Sequence, residues 1–127
     1  MGTTMKMLTS ASTALLMATG IAYAGSAMET MMGDKKILTD EKGMTLYTFD
    51  KDSGGMSACY DACATNWPPL MADSGAMAKG DYTVVTRKDG AKQWAYKGKP
   101  LYLWAKDAKK GDMTGDGVNG VWHVAKP

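Results

Sequence analysis

Two short stretches of this chain decide its fold: LYTFDKD at residues 46–52 and LYLWAKD at residues 101–107. Both place leucine, tyrosine, an aromatic residue, lysine and aspartate at the same spacing, 55 residues apart. The same offset pairs Trp67 with Trp122. Repetition at a fixed period is the signature of copied supersecondary units. Because a unit of roughly 50 residues cannot bury its own apolar face, we expect the two copies to form one pseudo-twofold domain.

The alternation within both stretches predicts strands. In each, large aromatic side chains occupy every second position, which is the period of a half-buried strand. Between the two stretches, Asp89-Gly90 separates the β-forming runs 82–86 and 93–96 and predicts a hairpin. A turn at 97–100 leads into the second stretch, so we expect a three-stranded meander that ends at Trp104.

One short helix is predicted around residues 57–65. The segment begins with a serine that can cap a helix and continues with helix-compatible residues, and Pro68-Pro69 prevents its extension. The sequence therefore predicts a mostly β fold with small α content. Two tandem repeats, about 35–72 and 82–126, are expected to form a single domain over residues 35–126.

Residues 1–24 have the pattern of a secretory signal peptide. Lys6 supplies the positive charge, residues 7–22 form the apolar region, and Ala-Tyr-Ala at 22–24 is a cleavage site, so cleavage is predicted near Ala24/Gly25. No cysteine follows the apolar region, so no lipid attachment is expected there. The mature protein is predicted to be periplasmic or secreted. Residues 25–34, which are small, polar and methionine-bearing, predict a flexible arm.

Charge and composition exclude several classes of protein. With 15 basic and 13 acidic residues, the net charge of +2 shows no basic excess for binding nucleic acid. The sequence contains no run of 18 apolar residues, so no transmembrane helix is predicted in the mature chain. Around His123, the single histidine, no set of nucleophile, base and orienting residue can be named, so the sequence disfavours an enzyme.

Cys59 and Cys63 are the two cysteines, and they are four residues apart. In an oxidising compartment, such a pair is most simply a disulfide. Two other chemistries stay open. The pair also fits a redox couple, or a copper(I) site together with Met56 and His123, because a soft ion prefers thiolate and thioether ligands.

Residues 112–117 (DMTGDG) resemble the start of a calcium loop, with Asp112, Thr114 and Asp116 as oxygen ligands. His123 occupies the position where such a loop carries glutamate, so a glycine-rich turn is the alternative. The strand-like neighbours of His123 favour a structural role. Scattered methionines are interpreted as core filler. No cofactor is predicted, and copper and calcium are the alternatives.

The combined motifs resemble a known family. They are the repeated tyrosine stretches, CYDAC at 59–63, NWPPL at 66–70 and GDGVNGVWHV at 115–124. Together they resemble the bacterial secreted repeats of unknown function, described as predicted lipoproteins with a repeated Y-x-[FWY]-x-x-D motif. The resemblance covers about residues 35–126 and implies an exported domain without a settled activity. The motif residues are Tyr47, Phe49, Asp52, Trp67, Tyr102, Trp104, Asp107 and Trp122.

The repeated aromatic residues allow two interpretations. They can form a shared core, with Asp52 and Asp107 capping the turns that follow, or an exposed platform that binds a sugar, peptide or envelope partner. The leading functional hypothesis is an exported, non-catalytic envelope module that binds an unknown envelope protein or small ligand. The alternative is a periplasmic redox or copper-handling protein that uses Cys59 and Cys63.

Overall fold

A computed structural model of the chain describes residues 26–127, so the predicted signal peptide lies outside the described residues. The strands of the described part are β1 (Ala27–Met32), β2 (Lys35–Asp40), β3 (Tyr47–Phe49), β4 (Tyr82–Thr86), β5 (Lys92–Tyr96), β6 (Lys99–Pro100) and β7 (Trp122–Val124). The helices are α1 (Ala62–Asn66) and a 3-10 helix (Val118–Gly120). Neither helix has the length and apolar character needed to cross a membrane.

The strands form three small antiparallel sheets, β1–β2, β3–β7 and β4–β5–β6. β1 and β2 form a hairpin in which Ala27 pairs with Asp40, and β4 and β5 form a second hairpin in which Tyr82 pairs with Tyr96. β3 pairs instead with the distant β7. The first repeat therefore takes a partner strand from the second, which joins the two copies into one unit.

The two repeats meet at their equivalent tyrosines. Tyr47 N donates to Tyr102 O at 2.8 Å, and Tyr102 N donates to Tyr47 O at 3.0 Å. A reciprocal contact between equivalent residues is what a twofold axis between two copies requires. The predicted mostly β fold of two tandem repeats is confirmed.

The two halves differ in how regular their central ladders are. In one half, Asp50 N donates to Val121 O at 2.8 Å beside the β3–β7 pair, and the equivalent bond in the other half joins Ala105 N to Asn66 O at 2.9 Å. Pro68 and Pro69 have no N–H groups, so their backbone can accept hydrogen bonds but cannot donate them. The segment that faces them therefore does not form a regular strand. The predicted third strand of the meander is therefore reduced to the two-residue β6.

Two further expectations are corrected. The sequence predicts a flexible arm over residues 25–34, but Ala27–Met32 pairs along its whole length with β2. The hairpin pairs Thr30 with Ile37 and includes the side-chain hydrogen bond of 2.8 Å between Thr30 and Thr39. The helix predicted around 57–65 forms only at Ala62–Asn66. The preceding residues are irregular because their polar groups bond to the core, as described below.

The core consists of two clusters, one aromatic and one aliphatic. The buried residues of the aromatic cluster are Ile37, Tyr47, Cys59, Trp67, Tyr102, Trp122 and Val124. Those of the aliphatic cluster are Leu38, Leu46, Leu70, Tyr96, Leu101 and Ala125. Each cluster draws residues from both repeats, so neither repeat has a core of its own.

Most methionines of residues 26–127 lie outside this core, although Met32 packs against the aromatic cluster. Six of them are between 41% and 80% exposed: Met28, Met31, Met56, Met71, Met77 and Met113. The interpretation of the scattered methionines as core filler is therefore wrong for Met56, Met71, Met77 and Met113. The stacked aromatic rings provide the buried apolar area instead.

Candidate functional site

The repeat motif residues lie at the centre of the molecule. Tyr47 and Tyr102 are both 0% exposed, and Trp67 and Trp122 are also buried. Of the motif's aromatic residues, only Phe49 and Trp104 are half-buried. The structure therefore places the motif in a shared core rather than on an exposed platform.

Each motif tyrosine bonds to the aspartate of the other repeat. Tyr47 OH donates to Asp107 Oδ2, and Tyr102 OH donates to Asp52 Oδ2, both at 2.7 Å. Burial raises the pKa of both tyrosines well above its usual range, and their hydrogen bonds to the aspartates raise it further. Both hydroxyls therefore stay protonated and act as donors. The motif spacing is explained by this exchange, because each copy supplies a donor and an acceptor.

The same aspartates cap the turns that follow them, as the core interpretation expects. Asp52 Oδ1 accepts from Ala58 N at 2.7 Å, and Asp107 Oδ1 accepts from Thr114 N at 3.0 Å. Burial raises the pKa of Asp52, although its hydrogen bonds from Tyr102 and Ala58 lower it. Each aspartate thus ties a loop of its own repeat to the tyrosine of the other.

Four aromatic rings form a continuous stack across the pseudo-twofold axis. Trp67 and Trp122, which are equivalent residues, stack at a centroid distance of 3.8 Å and an interplanar angle of 2°. Phe49 covers Trp122 at 4.1 Å, and Trp104 covers Trp67 at 3.9 Å. This column carries the motif's remaining aromatic residues and leaves none of them free as a binding platform.

Arg87 forms a buried polar network that the sequence analysis missed. It is 4% exposed, and its guanidinium donates to Ser57 Oγ at 3.0 Å, Gln93 Oε1 at 2.8 Å and Cys59 O at 2.6 Å. Ser57 Oγ in turn lies 2.6 Å from Tyr102 OH. Arg87 is the only arginine in the sequence, which was the one available signal. The network explains why residues around Ser57 leave the helical conformation.

Cys59 and Cys63 form a disulfide with a Cα–Cα distance of 5.2 Å, which confirms the simplest prediction. Cys59 is fully buried and Cys63 packs against the aromatic cluster. In this form neither sulfur is a free thiolate, so the predicted copper set lacks two of its ligands. His123, another member of that set, lies on β7 with Nε2 at 2.8 Å from Asp50 Oδ2.

The candidate calcium ligands are engaged in local hydrogen bonds. Asp112 accepts from Ala108 N at 2.8 Å, and Asp116 accepts from Val124 N at 3.0 Å. Thr114 Oγ1 donates to Asp107 at 2.6 Å. Within residues 26–127, no group of three or more His, Cys, Asp or Glu side chains is arranged to hold a metal ion.

A cavity of about 1040 Å³ lies beside the two hairpins, away from the motif residues. Its aromatic wall consists of Tyr82 from β4 and Trp94 and Tyr96 from β5, and the loop before β4 contributes further lining residues. Tyr82 and Tyr96 lie 5.0 Å apart between ring centroids. The remaining lining residues are Ser26, Ala27, Glu29, Asp73, Gly75, Ala76, Met77, Lys79, Gly80 and Asp81.

Two polar atoms in the aromatic wall are buried without a hydrogen-bond partner in the described part of the chain, Tyr82 OH and Trp94 Nε1. Folded proteins pair most such atoms, because each unpaired one costs about 1–3 kcal/mol. Burial raises the pKa of Tyr82, and the nearby Tyr96, Glu29 and Asp81 raise it further, so its hydroxyl stays protonated. Sequence analysis assigned these aromatic residues only to a hairpin.

Comparison with known proteins identifies the family. A family model described as a secreted repeat of unknown function matches residues 30–71 and 83–126, which are the two repeats described above. No curated protein and no solved structure matches the chain. The two matched segments contain both tyrosine stretches and both stacked tryptophans that join across the pseudo-twofold axis. The chain therefore belongs to the family of secreted repeats of unknown function.

Proposed function

We propose that this protein is an exported, non-catalytic module that binds a small ligand in the cavity formed by Tyr82, Trp94 and Tyr96. The observation that carries the proposal is the concave cavity with its wall of three aromatic residues. Small-molecule sites are typically concave and apolar, with a few polar groups that orient the ligand. The volume of this cavity, about 1040 Å³, is sufficient for a small molecule.

The proposal places binding on the hairpins and leaves the motif residues a structural role. The stacked tryptophans and paired tyrosines hold the two repeats together, and the second repeat's hairpin then presents the cavity wall on a rigid support. A site supported by packed strands keeps its geometry better than one carried by loops alone. The family's secreted character agrees with an extracytoplasmic ligand.

A panel titration tests the proposal. The ¹⁵N-labelled mature chain is titrated with small sugars, amino acids, amines and nucleosides while the indole resonance of Trp94 is followed. We expect at least one compound class to shift the resonances of Tyr82, Trp94 and Tyr96 while those of Trp104 stay in place. If no compound in the panel shifts them, the cavity is not a small-ligand site and the proposal is overturned.

A cavity-filling variant provides the matched control. Gly75 lines the cavity, and an added Cβ there would meet no heavy atom within 4 Å, so Gly75→Leu adds bulk without a clash at the Cβ. The adjacent Ser74 is exposed and does not line the cavity. We expect Gly75→Leu to abolish the shifts and Ser74→Leu to preserve them.

Export itself is tested by mass spectrometry of the periplasmic or secreted species. We expect a chain that begins at or within a few residues of Gly25. A chain that retains residues 1–24 in the membrane fraction would contradict the predicted cleavage.

The alternative function, a redox or copper-handling role for Cys59 and Cys63, requires the disulfide to open, because a thiolate is the reactive and metal-binding form. Thiol titration with and without copper(I) separates the two roles. Blocked thiols and no copper uptake favour the binding module. Free thiols that take up about one copper ion per chain favour the alternative.

A further inference from the structure

We infer that the cavity binds a small organic ammonium ion, through cation–π contact with its aromatic wall and attraction to its acidic rim; this inference rests on the proposed function. A ligand of this class carries a diffuse positive charge on an apolar body. Aromatic faces attract such a charge through their ring quadrupole, and aromatic-walled sites are the usual recognition device for alkylated ammonium groups.

The wall has the composition that a cation needs. Tyr82, Trp94 and Tyr96 contribute three rings to one lining, with the Tyr82 and Tyr96 planes inclined by 52°. Lys97 Nζ already lies 5.3 Å from the centroid of the Tyr96 ring, so a cation approaches this ring within the fold itself.

The charged residues of the lining favour a cation. The lining residues include three carboxylates, those of Glu29, Asp73 and Asp81, and one ammonium group, that of Lys79, for a formal charge of −2. With Lys97, which lies outside the lining but close to the Tyr96 ring, the formal charge is −1. Glu29 is partly engaged, because its Oε1 lies 3.4 Å from Lys36 Nζ in a half-exposed ion pair.

The other two carboxylates remain available. Asp73 and Asp81 use their backbone carbonyls to accept from Ala76 N and Lys97 N, at 2.9 Å and 2.8 Å. Within residues 26–127, their side chains make no hydrogen bond. Asp81 is also adjacent in sequence to Tyr82, so one carboxylate lies at the start of the aromatic wall. An anionic ligand would meet this charge unfavourably, and a neutral ligand would gain nothing from it.

A pair of probes of equal shape isolates the charge. Choline and 3,3-dimethylbutan-1-ol differ only in that the quaternary nitrogen of choline is replaced by carbon, so they have nearly the same size and hydroxyl group. Both are titrated into the mature chain at 0.15 M salt, with the indole resonance of Trp94 as the readout. We expect choline to bind at least about 10-fold more tightly, which is the ratio that a partly desolvated cation–π contact supplies.

Equal or weaker binding of choline than of the alcohol would overturn the ammonium assignment. If the alcohol binds and choline does not, the ammonium inference fails while the cavity remains a ligand site. If neither binds, the ammonium inference also fails, and the panel titration above decides independently whether the cavity binds any ligand.

A charge variant gives a second, independent measurement. Asp81→Asn removes one rim carboxylate, and Asp34→Asn makes the same charge change at an exposed position outside the lining. We expect Asp81→Asn to weaken choline binding about 3- to 10-fold and to leave the alcohol unaffected. Asp34→Asn is expected to change neither. Equal effects of the two variants on choline would contradict a role for the rim.

Discussion

Gly115 shows how closely single residues are constrained by the aromatic stack. A Cβ at this position would lie 2.7 Å from Trp67 Cη2 and 2.9 Å from Trp104 Cγ. The Gly115 amide also donates to Tyr47 OH at 3.2 Å, so the backbone is held close to both the stack and the buried tyrosine. Only a residue without a side chain fits between these groups unless the rings shift.

Gly115→Ala is therefore expected to destabilise the fold by about 1–3 kcal/mol, the usual cost of overpacking a core. Gly75→Ala serves as the control, because Gly75 has no positive φ and a Cβ there meets no atom within 4 Å. Thermal unfolding followed by near-ultraviolet circular dichroism measures both. Equal melting temperatures for Gly115→Ala and the wild type would contradict the close packing.

The buried tyrosines give the protein a defined response to alkaline pH. Because burial raises the pKa of Tyr47 and Tyr102 in the folded state, the folded chain keeps two protons that the unfolded chain loses from pH 10 upward. Their contribution to stability is thus fully present below pH 10 and is lost as the pH rises toward their folded-state pKa values. Over this range the free energy of unfolding falls by up to about 1.4 kcal/mol per pH unit for each tyrosine.

Urea unfolding between pH 9 and pH 11.5 measures this slope. We expect Tyr47→Phe and Tyr102→Phe each to remove roughly half of the pH dependence that the two tyrosines cause. Each substitution is also expected to lower the free energy of unfolding at pH 7 by about 1–3 kcal/mol, because the groups that bonded to the hydroxyl are left unpaired. Tyr60→Phe, at a tyrosine whose hydroxyl accepts an exposed hydrogen bond from Lys88 N, is the control. An unchanged alkaline slope in both core variants would exclude the two tyrosines as its source.

At the scale of elements, the helix beside the disulfide is shorter than the sequence predicts. α1 spans only Ala62–Asn66, and its N-cap Asp61 has a φ of 57° and makes no side-chain capping bond. An isolated helix of this length is not stable in water. The Cys59–Cys63 bond and the hydrogen bond from Trp67 N to Cys63 O at 2.7 Å connect it to the stack instead.

Removal of the disulfide is expected to cost about 2 kcal/mol in the chain-entropy relation for so short a loop. The Cys59→Ala/Cys63→Ser pair keeps the buried position apolar and the half-buried position small and polar. Urea unfolding of the oxidised wild type, the reduced wild type and the variant gives the comparison. A loss above about 5 kcal/mol would show that the bond determines the packing of the stack and does more than close a loop.

At the scale of the whole molecule, the two repeats share the contacts at the centre of the fold. The ring column crosses the pseudo-twofold axis at Trp67 and Trp122, the tyrosine hydroxyls exchange aspartates, and β3 pairs with β7. The first hairpin is joined to the chain that leads into β3, where Leu46 N donates to Leu38 O at 3.0 Å. A single cooperative unfolding transition is the expected consequence.

The ring column predicts a graded response to truncation. Trp67→Ala and Trp122→Ala are expected to cost about 3–5 kcal/mol each and to agree within about 1 kcal/mol, because the two residues are equivalent and buried. Phe49→Ala and Trp104→Ala should also match each other but cost less, since both rings are half-buried ends of the column. Melting temperatures within a degree or two of wild type for the central variants would refute the shared core.

The sequence by itself determined the repeat, its period and its β character. These properties follow from local spacing, because alternating aromatic residues favour strands wherever they lie and a copied stretch keeps its register. The disulfide was also predictable, since two cysteines four residues apart had few other uses in an exported chain. The extent of the helix and of the third strand was not, because Pro68-Pro69 and the buried Arg87 network override local preference there.

Only the tertiary structure decided which repeat supplies the partner of each motif residue. The motif places each aspartate five residues after its tyrosine, yet the bonded partners are 60 and 50 residues apart in sequence. The cavity is equally non-local, because Tyr82 and Trp94 form its wall only where Glu29 and the loop containing Asp73 come to lie beside them. Such pairings depend on which chain segments meet after folding, and residue spacing along one strand does not contain that information.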